Sequence, residues 1–495
     1  MTIEAVENIS IPKQESVFLL LVKIGLHVIL GTLCFARYPV VVNVAALGSI
    51  VLVFLHTLNQ RDYVSFFLQM LFCNHFVFGN DNGGLYNIAG LLALVAHYII
   101  YDRPALQNRS LFGKLGYALF AILCASQIIA LTVNHRMGLS AKVVSLAIFI
   151  LMIATMYNLS KIKLVYSDYA RFIYILFFFT CYHLVVAVNQ RIFAIDLPIF
   201  PLGDQNAEFE LGLVRSGGIF LNYEAYGEYS LSLIALLLPG VLSGRLKEKS
   251  TILFLMSLCI IVLSLFAIVL SGTRSSLLLL PLVFLFIVFS LGRRLRIGYL
   301  LAFFALAVTA FFVNLKYEFV DINIFLERSA SMDFAHMSIK DLLSGSEMNR
   351  GDIFDYAFKK LNESKGLLPA GYYTREEHYV IAHFDRTNYL PTDYHNLYLS
   401  SIVLWGIWGA IALLMFFFIS VYQGIKVYFK KRHVNDYTLD LLLGFNAFFL
   451  FFLINEYKIQ FIRSANYFVL IFLFLILYRS LIKNVNTNFR TADSE

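Results

Sequence analysis

Three residues in this chain have side chains and surroundings suited to chemistry on an anion at a membrane surface. His395-Asn396, followed after nine residues by Gly406-Ile407-Trp408-Gly409, opens an apolar run directly behind an 80-residue polar stretch. A titratable imidazole therefore stands where a water-exposed region meets a membrane span, and its ordinary pKa of about 6.5 suits a general base. Upstream, Arg274 and Arg350 stand isolated at comparable junctions. A guanidinium presents a planar fork that matches phosphate oxygens two at a time.

The elements that must position these residues follow from composition. Apolar residues make up 59% of the chain and charged residues 14%, with a mean hydropathy of +0.73, far from the roughly 25% charged content of soluble domains. Fourteen apolar runs are long enough to count as spans of a hydrocarbon core about 30 Å thick: 16–35, 39–58, 63–79, 84–101, 112–132, 139–157, 170–188, 226–244, 250–270, 275–291, 297–314, 396–420, 437–455 and 466–483. The run at 63–79 is the weakest, being short and carrying Gln69, Asn74 and His75. In lipid the backbone must satisfy its own polar groups, and the alternating ten-residue strands of a barrel are absent. The expected fold is all-α, a polytopic integral membrane protein. Its parts are N-terminal transmembrane helices (1–190), a first long loop (191–225), central helices (226–314), a second long loop (315–394), and C-terminal helices with a tail (395–495).

The polar, acidic start (MTIEAVENISIPKQES) makes the first run a span and not a cleaved signal. All five cysteines fall inside or at the ends of spans, so neither a disulfide nor a zinc site is expected. Lysine and arginine cluster in alternate connections, as in Lys161 and Lys163, Arg293 to Arg296, and Lys430 to Arg432. That bias puts both termini in the cytoplasm and both long loops outside. It also accounts for the net charge of +7 without any nucleic acid.

The longer loop exceeds what a connection needs. Residues Asp352 to Leu361 place Ile353, Ala357, Phe358 and Leu361 on one helical face, with Ser346 as a cap and Arg350 in the first turn. Each candidate also has a plainer role. Arg274, in Ser271-Gly-Thr-Arg-Ser-Ser276, suits a headgroup-level phosphate clamp helped by nearby hydroxyls such as Ser275, or an arginine that merely snorkels. Arg350 is otherwise a surface arginine and His395 a structural interfacial histidine. Gly406 and Gly409 read as close-packing positions, and Trp405 and Trp408 as packing or lipid-facing residues. Lys23, His27, His56, His97 and His183 follow no repeat and read as structural. Glu224 and Glu228 enter a span on one face and either orient a substrate hydroxyl or complement a helix N-terminus.

The order of these elements resembles bacterial O-antigen ligases and related polysaccharide polymerases. Arg274 with Leu278 looks like their Arg-x3-Leu element. Asn349-Arg350-Gly-Asp with Pro369-Ala-Gly371 looks like their loop arginine and Pro-x-Gly turn. His395-Asn396-x9-Gly406-x2-Gly409 matches their His-Asn/Ser/Gln-x9-Gly-x2-Gly pattern. Arg215-Ser-Gly-Gly-Ile-Phe-Leu-Asn222 is similar to a segment before their central spans, although Tyr-Glu follows Asn222 here where Pro-Asn is frequent. The resemblance covers roughly residues 210–420.

It implies a metal-independent glycosyltransferase of lipopolysaccharide or exopolysaccharide biosynthesis in the bacterial cytoplasmic (inner) membrane, needing no cofactor. The donor is an undecaprenyl-pyrophosphate-linked oligosaccharide and the acceptor a saccharide or glycolipid. Partner proteins are of the flippase and chain-length-regulator type. His395, Arg274 and Arg350 are the expected catalytic residues; Arg215, Asn396, Ser275 and Glu224 are the expected substrate-binding ones. Arginines stabilise a pyrophosphate leaving group without a metal. The long loop holds 9 Lys/Arg against 13 Asp/Glu, and 189–225 holds 2 against 5. Such faces repel a phosphorylated lipid A core, which favours polymerase over ligase; transfer to protein is a lesser alternative. A lipid-linked oligosaccharide flippase is the competitor from another class, but it has no need of an 80-residue loop ending in histidine.

Overall fold

A computed structural model describes residues 15–35, 40–76, 84–100, 111–133, 139–193, 216–220, 223–302, 396–434, 436–457 and 465–488, with a few single positions besides. They form α1 (Val17–Phe35), α2 (Val40–Asn59), α3 (Tyr63–Phe76), α4 (Gly84–Ile100), α5 (Gly113–Val133), α6 (Leu139–Leu159) and α7 (Tyr166–Val188). Then come α8 (Tyr223–Ser243), the short α9 (Arg245–Lys249), α10 (Thr251–Ser271), α11 (Arg274–Leu291), α12 (Leu397–Lys431), α13 (Tyr437–Asn455) and α14 (Ala465–Asn488). No strand occurs among the described residues. Nine helices among them are long and apolar enough to cross a membrane, and Val17–Gly31, Tyr63–Cys73 and Phe149–Leu159 are shorter apolar stretches. The count of fourteen spans is thus not reached on the described residues. The run expected over 297–314 is helical from 297 to 302 and lies largely outside them, as do both long loops and the helix expected at 352–361.

The fold is organised around α8, in which every residue from Ala225 to Ser243 is buried. Glycines let its neighbours approach closely, the usual means of packing helices in lipid. A Cβ at Gly227 would fall 2.5 Å from Thr273 Oγ1, and one at Gly444 of α13 only 1.9 Å from the Leu236 carbonyl oxygen. Helix α8 runs antiparallel to α13: Glu228 meets Asn455 at one end, and Ser243 donates to Asp440 at 2.6 Å at the other. Asp440 also pairs with Arg245 at 3.6 Å and Arg294 at 3.3 Å. Two guanidiniums and a hydroxyl thereby compensate a carboxylate that is costly to bury alone. Helix α11 covers this core with Val283, Ile287 and Leu291 and exposes Leu278, Leu282, Leu285 and Phe289. That apolar outer stripe at helical spacing belongs against lipid.

The polar residues that weaken the N-terminal runs find one another. Lys23 pairs with Glu15 and donates to Thr57 at 2.9 Å. Gln69 donates to the same Thr57 oxygen and lies 3.2 Å from His27 Nε2 through its own Oε1. Tyr63 and His97 are hydrogen-bonded at 3.1 Å. These side chains link α1, α2, α3 and α4. Cys73, Cys124, Cys181 and Cys259 are free thiols.

Helix α12 corrects the expectation of one unbroken span with two packing glycines. Gly409 does pack closely, its would-be Cβ lying 2.8 Å from Ser126 Oγ of α5. Gly406 instead breaks the helix with φ 68° and ψ 176°, a conformation open essentially to glycine alone. Just before the break, the Trp405 indole donates to Gln127 of α5 at 2.7 Å. Trp408 is 63% exposed and faces outward.

Candidate functional site

Arg215, Arg350 and His395 lie outside the described residues, and Arg274 is described as the first residue of α11 without its side chain. What the structure does give is the framework from which three of these residues depart, and that framework converges on the N-terminal end of α8.

The Arg274 turn comes first. Helix α10 ends at Ser271, Gly272 takes φ 61°, and Thr273 stands at the cap position of α11. A left-handed glycine after the last helical residue is the common way to stop a helix. The Thr273 hydroxyl donates to the Tyr223 carbonyl at 2.9 Å. The Ser271 hydroxyl donates to Ile268 O at 2.8 Å and accepts from Thr273 N at 3.3 Å. The Thr273 hydroxyl therefore fastens the turn to the start of α8, and the Ser271 hydroxyl braces the turn internally. Ser275 is half-buried in the first turn of α11, and Glu224 is half-buried in the first turn of α8.

The second arm is the 3-10 turn Gly218–Phe220, which follows Arg215 in sequence. Ser216 N donates to Leu270 O at 3.1 Å, and Ser216 Oγ donates to Ala187 O at 2.9 Å. The turn is thus tied to α10, four residues before Arg274, and to α7. Gly218 has φ 57°, and a Cβ there would lie 3.1 Å from His183 Nδ1. His183 stacks on Tyr226 with centroids 5.6 Å apart and is tilted against Phe220 at 4.8 Å. This histidine is an aromatic-packed support beneath the turn.

The third arm begins at Asn396, beside His395 in sequence. Asn396 is buried and caps α12, its Oδ1 accepting from Leu399 N at 2.9 Å. The helix start is docked on the end of α13 by Leu397 N donating to Glu456 O at 2.9 Å and Tyr398 OH to Leu453 O at 2.8 Å. Next to it, Asn455 Nδ2 donates to Glu228 Oε1 at 2.8 Å, closing the circuit back to α8. The Ser216, Thr273 and Leu397 segments, nearly 200 residues apart in sequence, meet at one end of the bundle.

Sequence reasoning overlooked Gln190, which holds the Gly217-Gly218 backbone, and Asn455. Gln190 stands two residues beyond the end of the apolar run at Val188, where helical periodicity gives its side chain no role. The paired glycines at 217 and 218 were the only signal that a tightly held turn follows. No group of His, Cys, Asp or Glu side chains that would hold a metal ion is found among the described residues.

A polytopic helical membrane protein with polar segments gathered at one end of its central bundle is the class that fold and site define. Within it, residues 259–414 match a family model described as O-Antigen ligase. The match opens in α10, takes in the Ser271–Arg274 turn and α11, and ends in α12 beyond Gly409. No curated protein matches the chain.

Proposed function

We propose that this protein is a metal-independent membrane glycosyltransferase that moves a polyprenyl-pyrophosphate-linked glycan onto a saccharide acceptor at the extracytoplasmic face of a bacterial cytoplasmic membrane. The observation that carries the reading is the convergence of the Ser216, Thr273 and Leu397 segments on the start of α8. These are the segments adjoining Arg215, Arg274 and His395.

In the reaction, an acceptor hydroxyl oxygen forms a bond to the anomeric carbon while that carbon's bond to the pyrophosphate oxygen breaks. His395 takes the hydroxyl proton. Undecaprenyl pyrophosphate leaves as an anion whose developing charge Arg274 and Arg350 stabilise, with Arg215 and Ser275 completing the hold on the donor. In this reading Glu224 and Asn396 are the further substrate-binding residues. The acidic outer loops, 9 Lys/Arg against 13 Asp/Glu in the longer one, favour a lipid-linked sugar acceptor and hence polymerase activity. Transfer to lipid A core, the ligase reaction, is the second reading, supported by the family match itself.

Purified protein in liposomes, supplied with undecaprenyl-pyrophosphate oligosaccharide, tests the reading. The expected product is a lengthened lipid-linked glycan, formed equally well in excess EDTA. Product only when lipid A core is added would make the protein a ligase. Translocation without a new glycosidic bond would make it a flippase. Loss of transfer on chelation, restored by magnesium, would overturn the arginine mechanism.

A further inference from the structure

Helix α7 does not stop where its apolar run stops. It continues as a π-helical turn, Asn189–Phe193, a geometry often found at functional sites. The two amides at its start face backbone on either side of the Arg215-bearing loop. Asn189 accepts from Ile195 N at 3.3 Å and donates to Ile195 O at 2.9 Å. Gln190, itself only 3% exposed, accepts from Gly217 N at 3.1 Å and Gly218 N at 2.9 Å and donates to Gly218 O at 2.9 Å. Adjacent side chains thus hold the chain at Ile195 and again at Gly217 and Gly218. A side chain that merely fills space has no need of three hydrogen bonds to two consecutive residues.

We propose that Gln190 is a positioning residue for glycan transfer, clamping the 216–218 turn so that Arg215 leaves a fixed backbone held in register with the Arg274 helix start. The inference rests on the reading of Arg215 as a donor-binding residue. Both ends of the register are tied. Ser216 is hydrogen-bonded to Leu270 of α10, the helix that leads into the Arg274 turn. A Cβ at Gly218 would lie 3.1 Å from His183 Nδ1, so the turn sits close against α7 as well as being clamped by the amide. Misplacing a transition-state contact by about 1 Å can cost a rate factor on the order of 100.

The test uses full-length protein in liposomes with undecaprenyl-pyrophosphate oligosaccharide, compared at equal folded fraction by fluorescence size-exclusion. Gln190→Met keeps the volume and removes all three hydrogen bonds; the expected result is kcat lowered about 10- to 100-fold with a much smaller change in donor KM. Gln190→Glu keeps the acceptors for both glycine N–H groups and should recover part of that loss. In an Arg215→Ala background, Gln190→Met should cost nothing further, because the clamp acts through Arg215. Wild-type kcat in Gln190→Met overturns the proposal, as does a full additional loss in the double variant. Wild-type turnover in Arg215→Ala alone would instead sink the underlying reading of the arginine, and is seen without touching Gln190.

Discussion

The side-chain amide of Asn455 on α13 donates to the carboxylate of Glu228 on α8 at 2.8 Å, with both residues closed off inside the bundle. The next residue along, Glu456, accepts from Leu397 N through its carbonyl. A single turn of chain therefore couples the central helix to the start of α12. Glu228→Gln preserves an acceptor for Asn455 and should leave the melting temperature nearly unchanged. Glu228→Ala strands a buried amide, at a cost of about 1–3 kcal/mol, and should melt distinctly earlier in detergent. Equal melting of the two variants would show that the pair does not brace this junction.

Gly444 and Gly240 give a matched pair. Alanine gains up to about 1 kcal/mol in helix propensity at either position. At Gly240 the nearest atom to a new Cβ is 3.5 Å away, an ordinary contact, whereas at Gly444 it is the Leu236 carbonyl oxygen at 1.9 Å. Gly240→Ala should be neutral or stabilising. Gly444→Ala must push α13 off α8 and should lose about 1–3 kcal/mol or more, read as lowered thermal stability or yield of folded protein.

Arg274 begins α11 from a turn fastened by Ser271 and Thr273. Arg274→Ala should abolish transfer at unchanged folded yield. Arg274→Lys should lose most activity too, since an ammonium lacks the fork for two-point phosphate contact. Near-normal product from the lysine variant would show that charge alone is required.

If His395 removes the acceptor proton, His395→Ala should eliminate transfer and spare donor binding. The wild-type rate should fall as pH drops through the imidazole pKa, because only the neutral ring accepts a proton. High activity in His395→Asn or His395→Gln, with the acid limb unchanged, would reopen the base assignment, with Glu224 at the start of α8 next in line.

The helical class was legible because each apolar run is long and backbone polarity in lipid admits few solutions. The resemblance carried by Arg274, His395 and the glycine pair was legible because those residues sit at fixed intervals along one chain, and the match over 259–414 accords with it. Gly406 was harder to read. A glycine required for its torsion angles and one required for a close neighbour look alike in a sequence, and only the folded structure separates Gly406 from Gly409. Gln190 and Asn455 were invisible for another reason: their partners lie 28 and 227 residues away, and amide side chains carry no periodic signal. The depth of His27 and Gln69 likewise became intelligible only as a pair joined across two helices.

The break at Gly406 divides the labour within α12. The part from Ile407 to Lys431 has 25 residues and, at about 1.5 Å each, already exceeds a hydrocarbon core of about 30 Å. The nine residues from Leu397 to Trp405 are not needed to cross. They form a separate rod of about 13 Å, held at its tip by Glu456 and Leu453 and at its base by Gln127. The shorter rod is thereby fixed to α13 and α5 by hydrogen bonds, while Gly409 seats the start of the longer one against Ser126 of α5. The junction that begins at Asn396 is therefore positioned by protein contacts and not by the length of helix needed to cross the lipid.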